Sequence, residues 1–150
     1  MKYHVPHLFN IRVYGILITP EKKVLLSDEY VLGRLITKFP GGGLQFGEGT
    51  IDCLRREFLE ECNLEIDVRQ HFYTTGFFQP AFHDPSQQVL SIYYLVEPKD
   101  KMNIKISTKP FDFECAAEGS QSFRLVSLQE LHPDMMTLPI DKHVVDLLRP

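Results

Sequence analysis

The chain has 150 residues, 43% of them hydrophobic and 24% charged, enough apolar material for one buried core and too little length for two full domains. A formal net charge of -4, with 16 Lys and Arg scattered along the chain, excludes a general binder of nucleic-acid polymers, whose phosphates an acidic surface repels. No apolar leader follows a basic start and no run approaches the roughly 18 apolar residues of a membrane span, so the expectation is one domain over residues 1–150, cytoplasmic and without a membrane partner.

In chain order, residues 9–19 (FNIRVYGILIT) are rich in β-branched and aromatic side chains and end at Pro20, which predicts a strand followed by a turn. Residues 24–27 are expected as its hairpin partner. Residues 39–49 hold five glycines and one proline and predict an irregular loop. A helix is predicted over residues 50–62, with Thr50 as N-cap and Ile51, Leu54, Phe58 and Cys62 recurring every three or four positions. Alternation from Leu64 to Phe78 predicts a long strand, residues 79–87 a proline-bearing loop, and residues 89–97 a strand inside a sheet. Residues 99–121 read as a polar excursion with one short strand near 103–107, followed by a last strand at 122–127 and a helix at 138–148. Without a regular βαβ rhythm, the pattern predicts an α/β or α+β fold with a mixed β-sheet between helices.

The helix at 50–62 carries the chemistry. At about 100° per residue, Glu57, Glu60 and Glu61 share one arc, while Ile51, Leu54, Phe58 and Cys62 share its neighbour. Carboxylates this close oppose one another's ionisation unless a cation neutralises them, and an all-oxygen set suits Mg²⁺ or Mn²⁺. On the glutamates alone, a solvated acidic face paired with Arg55 and Arg56 is the better account. The preceding Pro40-Gly41-Gly42-Gly43, which frees the backbone to turn and approach a phosphate, and Glu48 in the same loop weigh toward a site. Cys53, Cys62 and Cys115 lack a paired spacing and read as reduced thiols, with Cys53 a packed side chain rather than a ligand.

The stretch from Gly42 to Leu64, GGLQFGEGTIDCLRREFLEECNL, resembles the Nudix box of the Nudix hydrolase family through Gly42, Glu48, Arg56, Glu57, Phe58, Glu60, Glu61 and Leu64. Asn63 stands where the family has glycine; asparagine tolerates the left-handed conformation a helix end needs there, so the departure should cost little. The resemblance implies a Nudix fold and divalent-metal-dependent hydrolysis of the diphosphate linkage in a nucleoside diphosphate derivative, such as ADP-ribose or a nucleotide sugar. A nucleoside triphosphate pyrophosphohydrolase and a non-catalytic nucleotide-sensing module of the same fold are the alternatives.

It further implies that Glu57, Glu60 and Glu61 hold Mg²⁺ or Mn²⁺, with Glu48 as a further ligand or acceptor and Arg56 orienting the carboxylates. Glu57, Arg56 and Glu60 are then the catalytic candidates. The general base is either Glu57 or a later acid, Glu114 or Glu118, each of which also reads as a solvated loop residue. For the substrate, the backbone of Gly42 and Gly43 and the side chain of Arg12 are candidates to meet phosphate. Fifteen residues separate Leu64 from Pro80, a placement similar to that associated with ADP-ribose and nucleotide-sugar hydrolases. Phe82, with Phe77, Phe78, Tyr93 and Tyr94, supplies rings that could stack a base, and His83 reads as a surface histidine. A small-molecule nucleotide is the expected partner, and a homodimer is compatible with the family.

Overall fold

Both edges and both faces of the strand β1 (Leu8–Leu17) are used, and this organises the rest of the chain. The computed structural model describes residues 5–149; the readings of the chain start and of residues 1–150 as one domain fall partly on 1–4 and 150, outside the described residues. Along β1, every residue from Val13 to Leu17 is buried, because alternate side chains enter two different apolar layers. Val13 and Leu17 join one cluster, Tyr14 and Ile16 the other.

The first cluster lies beneath the helix α1 (Thr50–Cys62), whose Leu54, Phe58 and Cys62 meet Val13, Leu17, Leu25 and Val96. Gly15 is the point of closest approach: a Cβ there would lie 2.5 Å from the Phe58 ring. The second cluster lies beneath the helix α2 (Pro139–Leu148), where Ile140, Val144 and Val145 meet Tyr14, Ile16, Leu26 and Tyr93. Truncating a fully buried ring such as Phe58 to alanine should cost about 3–5 kcal/mol.

Six further strands precede α2: β2 (Lys23–Val31), β3 (Arg34–Lys38), β4 (Gly41–Gly43), β5 (Ile66–Thr74), β6 (Gln87–Pro98) and β7 (Gln121–Ser127). They form a four-stranded mixed sheet in the order β4-β1-β6-β5, with β1 and β6 parallel, and an antiparallel three-stranded sheet in the order β3-β2-β7. The expected hairpin of residues 24–27 with the first strand does not form beyond a single bridge, Ile18 to Val24. With β1's edges taken by β4 and β6, β2 pairs instead with β3 and β7. Both sheets line one pocket, through Arg12 and Tyr14 of β1 and Glu29, Ile36 and Lys38 of β2 and β3.

Other expectations change locally. Part of the glycine loop is the strand β4: Gly41, at φ 148°, passes so close to β1 that a Cβ would lie 2.1 Å from the Val13 carbonyl oxygen. The bounds of α1 match the periodicity, but Thr50 is not its cap. Gly49 takes that position without a side-chain bond, and the Thr50 hydroxyl pairs with the Tyr94 hydroxyl at 2.7 Å. Asn63 ends α1 in the left-handed conformation (φ 48°, ψ 41°), donating to the Leu59 carbonyl while Leu64 donates to that of Phe58. β5 stops at Thr74 rather than Phe78, after two register shifts against β6; the Thr75 N–H and hydroxyl then turn onto the Ser91 carbonyl. In the polar excursion the expected short strand is reduced to one bridge, Ile106 to Phe123.

Candidate active site

The close packing of β4 on α1 begins at Gly42. A Cβ at that position would sit 2.4 Å from the Glu57 carboxylate carbon, so the absence of a side chain is what lets this carboxylate lie against the strand. Arg56, the residue before it, reaches the same carboxylate. The guanidinium donates to both oxygens of Glu48 (2.9 and 2.7 Å), to Glu57 Oε1 (2.9 Å), to Glu60 Oε2 (3.2 Å) and to the Gly43 carbonyl (3.1 Å). Its bonds to Glu48, followed by the Gln45 N–H, hold that carboxyl down to about 2. One cation thus ties the loop before α1 to its carboxylate face.

Glu61 faces inward from the next position. Its Oε2 is buried without a hydrogen-bond partner, and burial pushes the carboxyl up to about 7 against the pull of Lys38, with Glu29 and Glu57 adding to the rise. Lys38, 4% exposed, pairs with Glu29 at 3.0 Å and donates to the carbonyls of Gly41 (3.2 Å) and Phe39 (3.4 Å). Burial works against its charge, but Glu29 and Glu61 outweigh it and hold the ammonium protonated. Arg12 donates to the Tyr14 hydroxyl at 3.1 Å on the same side of β1.

These groups open onto a pocket of about 480 Å³. Among the sequence-predicted residues, Gly42, Glu57, Glu61, Arg12, Pro80, Phe82 and Glu118 line it, as do Tyr93 and His83. Glu48, Arg56, Glu60 and Gly43 stand behind that wall, joined by the Arg56 contacts. Glu118 accepts from the Gly33 N–H at 3.3 Å at the tip of the β2–β3 turn, whereas Glu114 is exposed and off the pocket wall. Phe82 carries the Arg34 guanidinium on its ring at 5.6 Å. Phe77, Phe78 and Tyr94 are not on the wall; Phe77 packs edge-on against His143 and Tyr94 reaches α1 through Thr50.

Among the described residues no group of three or more His, Cys, Asp or Glu side chains converges as a metal would require. Glu57 and Glu61 nonetheless fit a divalent cation, since one has a buried oxygen without a partner and the other rests in a cradle that any side chain at residue 42 would fill. Cys53 and Cys62 are buried, their thiols pushed up to about 12 by burial, and Cys53 points at the Gly43 carbonyl; Cys115 is exposed on the excursion.

Sequence reasoning missed Glu29, Lys38 and Asp141. Asp141 is 1% exposed, accepts from the Tyr93 hydroxyl through Oδ1, and has no partner at Oδ2. Burial pushes it up to about 7. A signal was present: Asp141 falls on the same helical stripe as Val145 and Leu148, four and seven residues on, where an acid interrupts an apolar face.

A family model described as the NUDIX domain matches residues 9–148. No curated protein sequence matches. Solved structures that are similar include a MutT protein from Methanosarcina mazei Go1 (TM-score 0.69, 17% identity, 96% of this chain and 95% of that one). A NUDIX hydrolase from Nitrosomonas europaea gives a TM-score of 0.67 at 18% identity, over 95% of this chain and 87% of that one. An ADP-ribose pyrophosphatase from Streptococcus suis 89-1591 gives 0.59 at 14% identity, over 93% and 88%. At these identities the likeness is one of fold, and it agrees with the mixed α+β architecture expected from the sequence.

Proposed function

Because the chain belongs to the Nudix hydrolase family, we propose that it is a divalent-metal-dependent pyrophosphohydrolase that cleaves the diphosphate linkage of a nucleoside diphosphate derivative, with ADP-ribose or a nucleotide sugar as the substrate class. The observation that carries this reading is the juxtaposition, on one pocket wall, of the Glu57 carboxylate cradled by Gly42 and the partnerless buried oxygen of Glu61.

Glu57 and Glu61 would hold Mg²⁺ or Mn²⁺, joined by Glu60, whose side chain is 59% exposed and bound only through its single contact with Arg56. When bound, the cation supplies charge neutralisation at the phosphate oxygens and a water of lowered pKa. Arg56 keeps Glu57 oriented and spends both remaining edges on Glu48 and the Gly43 carbonyl, so Glu48 acts here by holding Arg56. Glu57 gives Oε1 to Arg56, which leaves Oε2 outside that pair to take a proton from water. Glu118, on the pocket wall, is the alternative late acid. Arg12 and the side-chain-free backbone at Gly42 meet the diphosphate, and Pro80, bridged to Gln88, sets the loop that presents Phe82 to the rest of the substrate.

The test is release of nucleotide products from ADP-ribose, nucleotide sugars, nucleoside triphosphates and dinucleoside polyphosphates, with and without Mg²⁺. Turnover of triphosphates alone would move the chain to the triphosphate pyrophosphohydrolases. Tight nucleotide binding without turnover of any member would make it a sensing module. The same proposal places one domain over residues 1–150 in the cytoplasm, acting on a small molecule as a monomer or a homodimer, which light scattering on the purified protein separates.

A further inference from the structure

The glycine strand β4 is the least anchored part of the site. It is three residues long, lies at the edge of its sheet with β1 as its one hydrogen-bonded neighbour, and has no side chain to pack. Glycine also has the most backbone freedom to lose on ordering. Yet Gly42 must stay in place, because the Glu57 carboxylate rests in the space its missing side chain leaves. Two cations hold the strand on either side of that cradle. From α1, Arg56 donates to the Gly43 carbonyl at 3.1 Å. From β3, the Lys38 ammonium donates to the Gly41 carbonyl at 3.2 Å and to that of Phe39 at 3.4 Å, across Pro40.

The three hydrogens of the Lys38 ammonium are matched by Glu29 Oε2 at 3.0 Å and those two carbonyls, which leaves none for a substrate phosphate. Glu29 is fixed in turn by the Ser27 hydroxyl (2.9 Å), and Ser27 by the Gln121 amide (2.9 Å), so the hold on β4 is anchored in β2 and β7 of the other sheet. Stability does not account for the lysine: at 4% exposure it carries a desolvation cost that an apolar side chain of similar volume would avoid. A methionine would fill the same space and leave the Gly41 carbonyl without this donor. We infer that Lys38 is a positioning residue for the metal-binding face of α1: with Arg56 it clamps β4 at both ends and so keeps Gly42 against Glu57. This rests on the reading of Glu57 as a ligand to a divalent cation in the proposed hydrolase.

The test is a double-mutant cycle between Lys38→Met and Gly42→Ala. It is read in Mn²⁺ affinity, by paramagnetic-resonance titration of the nucleotide-free protein, and in kcat on whichever substrate turns over. Both changes act on the same carboxylate. Each alone is therefore expected to weaken Mn²⁺ binding and to lower kcat by about tenfold or more with KM within about threefold, and the double variant to fall no more than about threefold below the poorer single. A lysine that served the fold alone would lower the melting temperature and leave Mn²⁺ affinity untouched, or its effect would multiply with that of Gly42→Ala; either result overturns the proposal. If Lys38→Met loses its cooperative melt, Lys38→Gln carries the cycle, since its amide stops one bond short of the ammonium, and the same two results overturn the proposal there. The Mn²⁺ readout also separates the two layers. A non-additive loss of Mn²⁺ affinity in a chain that turns over no substrate would sink the hydrolase reading and keep the clamp, turnover with Mn²⁺ affinity indifferent to residue 38 would sink the clamp alone, and neither Mn²⁺ uptake nor turnover in the wild type would sink both.

Discussion

The α1 and α2 walls of the pocket each present one carboxylate oxygen without a partner, yet they are built in opposite ways. On α1 the acids are crowded within five residues and marshalled by a single guanidinium that is itself partly exposed. On α2 a lone acid is anchored by one hydroxyl 48 residues away, inside a layer of aromatic and aliphatic side chains. The first design tolerates a cation with several ligands and exchangeable partners. The second fixes one oxygen through a single buried hydroxyl inside an apolar layer. Burial drives both carboxyls up to about 7, so the two walls differ in surroundings rather than in acidity.

Exchanging charge on the two walls should break or sharpen that contrast. Glu57→Gln or Glu61→Gln is expected to lower kcat by about three orders of magnitude with the fold retained by circular dichroism, because each removes charge from the reacting phosphate's surroundings. Equal damage from Asp141→Asn at saturating substrate would erase the distinction between the walls. Gly42→Ala comes next. Its Cβ must displace the Glu57 carboxylate, and a loss of about 10- to 100-fold in kcat with little change in melting temperature is expected.

The pH dependence of stability in metal-free protein is smaller and specific to burial. Asp141 titrates near 7 when folded, against about 3.9 in an unfolded chain. Below pH 4 both states carry the proton. As the pH rises toward 7 the unfolded chain gives its proton up first, so the native state loses stability across that window and the loss is complete above it. Urea titrations of Asp141→Asn, which cannot ionise, should therefore show a stability advantage over the wild type that grows from pH 4 to 7, reaching on the order of a few kcal/mol. A constant difference would mean the carboxyl is not buried as described. Smallest is Asn63→Gly, which relieves the left-handed cap and should raise stability by less than about 1 kcal/mol.

What was legible in the sequence followed the same divide. Periodicity alone gave α1 its observed bounds and α2 to within a residue, because each helix buries a stripe whose spacing is written locally. Residues 24–27 were assigned to the wrong neighbour because pairing depends on which edges of β1 are already occupied, and β4 and β6 come later in the chain. Gly41–Gly43 looked like pure loop, although a backbone without side chains is what allows β4 to lie against β1. At the candidate site, Glu48, Arg56, Glu57, Glu60 and Glu61 were proposed because the Nudix box they resemble is a local pattern within residues 42–64. Lys38 and Glu29 were not, since their burial depends on a pocket formed by two sheets, and Asp141 showed only as an interruption in an apolar stripe.

The unequal exposure of the three thiols has a practical side. Cys53 and Cys62 are sealed beneath α1 and kept protonated at neutral pH, while Cys115 stands open on the excursion, three residues before Glu118 at the pocket mouth. The unaltered chain therefore carries a single address for a maleimide dye or spin label, and in a protein without tryptophan that one probe would report on the mouth against a dark background.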